Sequence, residues 1–371
     1  MKTRRREATA AVTVGMLALS LAACGGLLDS DDSSAKEDRK GDDVTVGLLL
    51  PESETARYEK FDHPIIEKQV DKLTNGKGKV VYANAGQDAA KQSAQLDKMV
   101  ADKVDVVLVS AVDAKKIAPS VKKAKEADIP VIAYDRLAEG PVSGYVAFDN
   151  ELVGQVQGQA LLKALGSDRR NSKIVMINGS PTDPNAAVFK DGALSQFENQ
   201  VDVAKSYDTD GWKPETAQAH MRDAITALGK DNIAGVYSAN DGMAGGVIKA
   251  LKAAGLTELP PVTGQDAELP AVQRVVAGEQ YMSVYKSYPE EAVGAAQMAV
   301  RIAQGRMVEF DALAGDTSEN ASTKNIPSLL VSVRPLTQDT IKSTVIEDGI
   351  YKTSEICTPA YKAACAEIGL K

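Results

Sequence analysis

The chain has 371 residues, with 43 Lys and Arg against 51 Asp and Glu and a formal net charge of −8. That acidic balance argues against nucleic acid as a partner, and the length suits two lobes better than a single core. With only two histidines (His63 and His220) and three cysteines, no nucleophile–base–acid set is visible. A phosphate-binding G-x-x-x-x-G-K-[ST] loop is also missing, so the chain does not hydrolyse ATP.

The N-terminus "MKTRRREATAAVTVGMLALSLAAC" opens with Lys2, Arg4, Arg5 and Arg6. An uncharged, mainly apolar stretch from Ala8 to Ala23 follows. This is the pattern of a secretory signal peptide over 1–23. Its end, "LAAC", resembles the bacterial lipobox, which implies cleavage before Cys24 and acylation of that residue. The alternative is plain cleavage and a free Cys24 thiol. Residues 24–43, "CGGLLDSDDSSAKEDRKGDD", carry too little apolar surface to order themselves and read as a hydrated tether.

From Val44 short apolar runs alternate with amphipathic stretches. The runs are 44–50, 79–83, 105–111, 129–135, 144–149, 173–179, 201–207, 233–239, 260–266 and 281–286. Most are near-continuously apolar, as strands covered on both faces are. "DAAKQSAQLDKMVADK", "DNELVGQVQGQALLKAL" (opened by an Asp or Asn cap) and "DGMAGGVIKALKAAG" (stopped at Gly255) read as helices between them. Strand, helix, strand in repetition predicts an α/β protein of two similar lobes. Each is a parallel sheet flanked by helices, and a cleft lies between them. The expected lobes are 44–149 plus 287–325 and 150–286 plus 326–356, with crossings near Asn150, Lys286 and Asn325 and a tail over 357–371. The polar stretch 310–325 is taken as the third crossing, followed by a strand "SLLVSVRPL" and a helix "TQDTIKSTVIEDG".

Polar groups gather at the carboxyl ends of these runs. In order they are Glu52, Arg57 and Tyr58; Asp135 and Arg136; Asp149 and Asn150; Asn178, Ser180, Asp183 and Asn185; Asn240 and Asp241; Gln265 and Asp266; and Lys286. Ligands of open parallel sheets bind outside the carboxyl ends of strands, so two facing lobes would bring these groups to one cleft. Acids that only accept, cations that only donate and amides that do both match the hydroxyls of a neutral polyol. Tyr58 and Trp212 are the candidates for stacking on a sugar's C–H face. Asp208 and Asp210 lack the rest of a calcium loop, so no metal is expected. "GQVQG" (154–158) reads as a close-packed helix face.

"AYDRL", "FDN", "NGSPTDPNA", "DGWKPE", "SAND", "GQDAEL" and "VYK" occur in this order. As a set they resemble the periplasmic D-xylose-binding protein family and the related multiple-sugar and glucose/galactose-type receptors, over about Val44 to Tyr351. The resemblance implies a type I periplasmic binding protein with a three-segment hinge, no cofactor and no catalytic residue. It implies sugar contacts at Arg57, Tyr58, Asp135, Arg136, Asp183, Asn185, Trp212, Asn240, Asp266 and Lys286. Its implied partners are a monosaccharide, D-xylose first, and an ABC permease with a separate ATPase subunit. The receptor is expected to be a monomer on the outer face of the cytoplasmic membrane or in the periplasm, lipid-anchored at Cys24. Glucose, galactose or arabinose, with a chemosensory role, is the alternative; a carbohydrate-active enzyme ranks third. The family usually has Trp where Tyr58 stands and often Asn where Pro184 stands. A sugar-responsive repressor would need an N-terminal helix-turn-helix where this chain has its signal sequence.

The tail lies outside the resemblance. Cys357 and Cys365 are eight residues apart in "CTPAYKAAC". In one continuous helix they would be about 12 Å apart, too far to bond. Pro359 can break that helix, and an exported chain lives where disulfides persist, so a disulfide is expected. The alternative is two reduced, buried thiols.

Overall fold

A computed structural model describes residues 40–53 and 55–370. The expected signal peptide, Cys24 and most of the tether lie outside these residues. In chain order the elements are β1 (Thr45–Leu50), α1 (His63–Leu73), β2 (Lys79–Asn84), α2 (Ala89–Ala101), β3 (Val106–Val109), α3 (Ala118–Glu126), β4 (Val131–Tyr134) and β5 (Gly144–Phe148). Next come α4 (Asn150–Leu165), β6 (Lys173–Asn178), α5 (Pro184–Phe197), β7 (Asp202–Asp208), α6 (Pro214–Leu228), β8 (Gly235–Ser238), α7 (Asp241–Ala253), α8 (Leu269–Val276) and β9 (Ser283–Lys286). The chain ends with α9 (Tyr288–Ala303), α10 (Met307–Leu313), β10 (Asp316–Ser318), β11 (Ile326–Val331), β12 (Val333–Leu336), α11 (Thr353–Ile356) and α12 (Lys362–Glu367).

The first lobe is a seven-stranded sheet in the order β10-β11-β5-β4-β3-β1-β2, parallel except where β10 runs antiparallel to β11. β3, β4 and β5 are buried along their whole length. Helices cover both faces, so these strands have no polar side to show water. The apolar residues divide between a cluster under α1 and α9 and a second under α2 and α3. The second lobe centres on the parallel sheet β7-β6-β8, with β9 and β12 as a separate antiparallel pair. Its core gathers α4 to α7 around Ile174–Ile177 and Val236.

Helix starts follow the sequence closely. Asp88, Asp149, Asp183 and Asn240 each cap a helix by accepting from backbone N–H groups in its first turn. The "GQVQG" face is a close contact of α4 with α5: a Cβ on Gly154 would stand 2.1 Å from the Phe189 carbonyl, and one on Gly192 2.4 Å from the Glu151 carbonyl.

The chain passes between lobes after β5, after β9 and after β11. The third passage differs from the expectation. β11 pairs in parallel with β5 in the first-lobe sheet, and β12 with β9 in the second lobe. The crossing is therefore at Ser332, inside "SLLVSVRPL", and not at Asn325. The polar stretch before it stays in the first lobe as the edge hairpin of β10 and β11. Its Asn320 donates to the Ala138 and Gly140 carbonyls, which explains its polarity without a lobe change. Three smaller differences accompany this. Segment 260–266 forms only a single bridge, Val236 to Val262. "TQDTIKSTVIEDG" condenses to one short wide turn, Lys342–Ile346. The last tether residues lie on the first lobe, where Lys40 pairs with Asp105 and Asn75 donates to Asp42 at 3.0 Å.

Cys357 ends α11 and Cys365 lies in α12, with Cα atoms 5.9 Å apart and the sulfurs bonded. The turn between the helices removes the 12 Å separation of a single helix. Ile356, Cys365 and Leu370 pack with Tyr285, Leu336 and Ile341, so the tail is part of a second-lobe core. Among the described residues no helix is long and apolar enough to cross a membrane.

Candidate functional site

Each site residue sits where a strand has just run out. The turn after β1 carries Arg57 and Tyr58, and the end of β4 carries Asp135 and Arg136. From the second lobe, Asp183 and Asn185 begin α5, Trp212 follows β7, Asn240 caps α7, Asp266 follows the Val262 bridge and Lys286 closes β9. All ten are at most 6% exposed and line one narrow cavity of about 30 Å³ between the lobes. Thr55, Phe189 and Gln265 complete the lining. Phe189 is one helical turn beyond Asn185 on α5, a spacing from which it could have been found.

Other strand-end groups are used elsewhere. Asp149 caps α4 at Leu152 N–H, and Asn178 donates to Ser206 and Asp208. Asp241 accepts from Gln280, Ser283 and the Glu268 N–H, which ties α7 to the segments behind the cavity.

The adjacent acid and base after β4 take their nearest partners elsewhere. Arg136 Nε reaches across to Asp183 Oδ2 at 2.8 Å, with Glu52 3.6 Å away on its own lobe. Asp135 takes the Tyr58 hydroxyl at 2.5 Å and lies 3.6 Å from Arg57 Nη1. Asn185 of the second lobe donates to the Asp135 carbonyl at 2.9 Å. Lys286 pairs with Asp266 at 2.8 Å. Asp135 and Asp266 have positive φ of 58° and 94°, and Trp212 has 59°. Such values are uncommon in non-glycine residues and most unusual in a bulky one, and they gather at functional sites.

Behind the cavity Arg57 is held by acids. Its Nε bonds Asp62 at 2.9 Å, and its Nη2 pairs with Asp62 at 2.8 Å and with Glu291 of α9. Its Nη1 makes no hydrogen bond within the described residues and lies 3.6 Å from Asp135 Oδ1, and Arg57 is among the residues that line the cavity. Burial pushes Asp62 up to about 6 against the pull of Arg57, and pushes Glu291 well above the usual carboxylate range. Burial works against the ionised form of both carboxylates, and the single Arg57 guanidinium offsets it only in part. Burial would also raise Asp135, but Arg57, Lys286 and Arg136 outweigh it and hold it below its ordinary value. Asp183 goes the other way: burial dominates over Arg136 and raises it.

The aromatic groups frame these charges. A Cβ on Gly179 would stand 2.0 Å from the Trp212 ring, so only glycine lets the indole lie there. Trp212 Nε1 donates to Asp183 at 3.2 Å, and Phe189 meets the ring edge-on at 6.4 Å. The cavity thus presents fixed acceptors, fixed donors and apolar ring surface without a cluster of metal-ligating side chains among the described residues. Paired charges can be shared with hydroxyls at little cost, because each stays balanced by its neighbour.

Two α/β lobes facing one buried, charged and aromatic cavity are the architecture of a solute-binding protein. Residues 46–307 match the family described as periplasmic binding protein domain, and the chain belongs to that family. It is 33% identical to the D-xylose-binding periplasmic protein of Escherichia coli (strain K12) over 320 residues, 85% of this chain and 93% of that protein. The multiple sugar-binding periplasmic receptor ChvE of Rhizobium radiobacter is 31% identical over 336 residues, covering 85% and 93%. An ABC transporter solute-binding protein from Clostridium phytofermentans, solved with bound β-D-glucose, superposes with a TM-score of 0.76 at 28% identity, covering 84% and 99%. The fold is that of type I periplasmic binding proteins.

Proposed function

We propose that this chain binds one monosaccharide, D-xylose first, between its lobes and delivers it to an ABC importer. The observation that carries this reading is the lining: Asp135, Asp183 and Asp266 as acceptors, Arg57, Arg136, Lys286 and Asn240 as donors, Trp212 and Tyr58 as ring surfaces. Asn240 spends its Oδ1 on Met243 N–H, which leaves its amide N–H₂ for a ligand. The names of the E. coli and R. radiobacter relatives support a sugar, and the former supports D-xylose. Ligand contacts from both lobes favour the closed form, which is the one a permease would recognise. In this reading the chain is exported, anchored through acylated Cys24 and not an enzyme, and the lobes are the two units that hinge.

A second reading, a receptor for glucose or several aldoses, is favoured by the glucose-bound neighbour and by Tyr58 standing where the xylose-type family usually has Trp. A thermal-shift screen against pentoses and hexoses, followed by calorimetry, separates the two. D-xylose is expected to give the largest shift, and Asp135→Ala or Lys286→Ala to keep the fold and lose affinity by about a hundredfold or more. The reading is overturned if no sugar shifts the melting temperature, or if either variant binds as tightly as the parent.

A further inference from the structure

Phe61 belongs to the first lobe by sequence, between cavity-lining Tyr58 and the start of α1. Its ring does not join the first-lobe cluster that Tyr58 and Ile65 join. It packs instead against both hydrophobic clusters of the second lobe. It stacks on Tyr288, the first residue of α9 just past the second crossing, at 5.4 Å, and meets Tyr351 of the second lobe edge-on at 6.1 Å. Lys60 adds its ammonium over the Tyr351 ring at 4.8 Å. A few residues earlier the Ala56 N–H faces the carboxyl of Glu268 on the second lobe. Neither Lys60, Phe61, Glu268 nor Tyr351 lines the cavity.

We propose that the segment from Ala56 to Phe61 is a latch. It grips Glu268 and Tyr351 across the cleft and biases the lobes toward closure independently of any ligand contact. The physical basis is that a half-buried aromatic ring, seated in the other lobe's core, must be re-exposed to water when the lobes part. A ligand then supplies only the remainder of the closing free energy, and its affinity rises with the closed fraction. The inference rests on the reading of binding by lobe closure, and deepens it by placing affinity control outside the cavity.

The test compares the full exported chain with Phe61→Ala and Tyr351→Leu by small-angle X-ray scattering without sugar, and by calorimetry with D-xylose and D-glucose. Circular dichroism verifies the fold of each. The expected result is a larger sugar-free radius of gyration for both variants, restoration of the parent radius at saturating sugar, and affinity weakened about tenfold. An unchanged or smaller sugar-free radius in a folded variant overturns the latch, as does an unchanged or tighter affinity. Should Phe61→Ala fail to fold, Tyr351→Leu decides alone. If the parent binds no sugar, the proposed function falls, but the sugar-free scattering still decides the latch.

Discussion

Arg57 shows how a single side chain carries both fold and site. Three carboxylates surround it, Asp62, Glu291 and Asp135, and it also lines the cavity. Removing it would strand two dry acids, whereas neutralising one acid only completes what burial already favours. Arg57→Ala is therefore expected to destabilise the protein by about 3–5 kcal/mol without any sugar present. Glu291→Gln, close in shape to the protonated acid, should cost no more than about 1 kcal/mol. Urea denaturation of both at neutral pH checks this, and equal losses would contradict the view that burial disfavours the ionised Glu291. The sequence marked Arg57 as a strand-end cation but did not reveal Asp62 and Glu291 as its holders. Glu291 is 234 residues away along the chain, and on α9 it reads as an ordinary first-turn acid.

At the scale of elements, the strand-to-helix turns place the site. Asp183 and Asn240 are at once helix caps and cavity groups, because the end of a parallel strand, the start of the next helix and the cleft coincide. α5 carries Asp183, Asn185 and Phe189, and its position is set by the glycine contact with α4. Gly154→Ala would drive a methyl to 2.1 Å from the Phe189 carbonyl. The expected cost is about 1–3 kcal/mol in chemical denaturation, with weaker sugar binding as α5 shifts. Wild-type stability would show that the helices can separate freely. The helices and most strands were readable from apolar runs and caps. The β11–β12 break was not, because Ser332 interrupts an apolar run too briefly to mark a change of sheet.

At the scale of the whole molecule, the buried acids Asp62 and Asp241 and the partly buried Glu268 set the response to pH. Burial raises Asp62 to about 6, Asp241 to about 7 and Glu268 to about 8, against some relief from Arg57 for the first and Arg274 for the other two. An acid with a raised value in the folded state binds more protons folded than unfolded between its ordinary and raised values. Stability therefore falls as pH climbs through the window from about 4 to 8. Melting temperatures at about pH 5.5 and 8 are expected to show the lower value at pH 8, and Asp241→Asn should shrink the difference. A melting temperature that rises over this range would refute the assignment.

The sequence by itself determined the two-lobed α/β plan and the ten polar and aromatic groups brought to one cavity. Covered parallel strands must be apolar throughout, and their carboxyl ends are where polar residues then become conspicuous. Only the tertiary structure decided how those groups pair: Arg136 with Asp183 across the cleft, Asp135 with Tyr58 and Arg57, and Phe61 with the opposite lobe. Such pairings depend on which strand ends face each other across the cavity and on local backbone turns such as those of Asp135 and Trp212. Neither leaves a periodic trace in the chain.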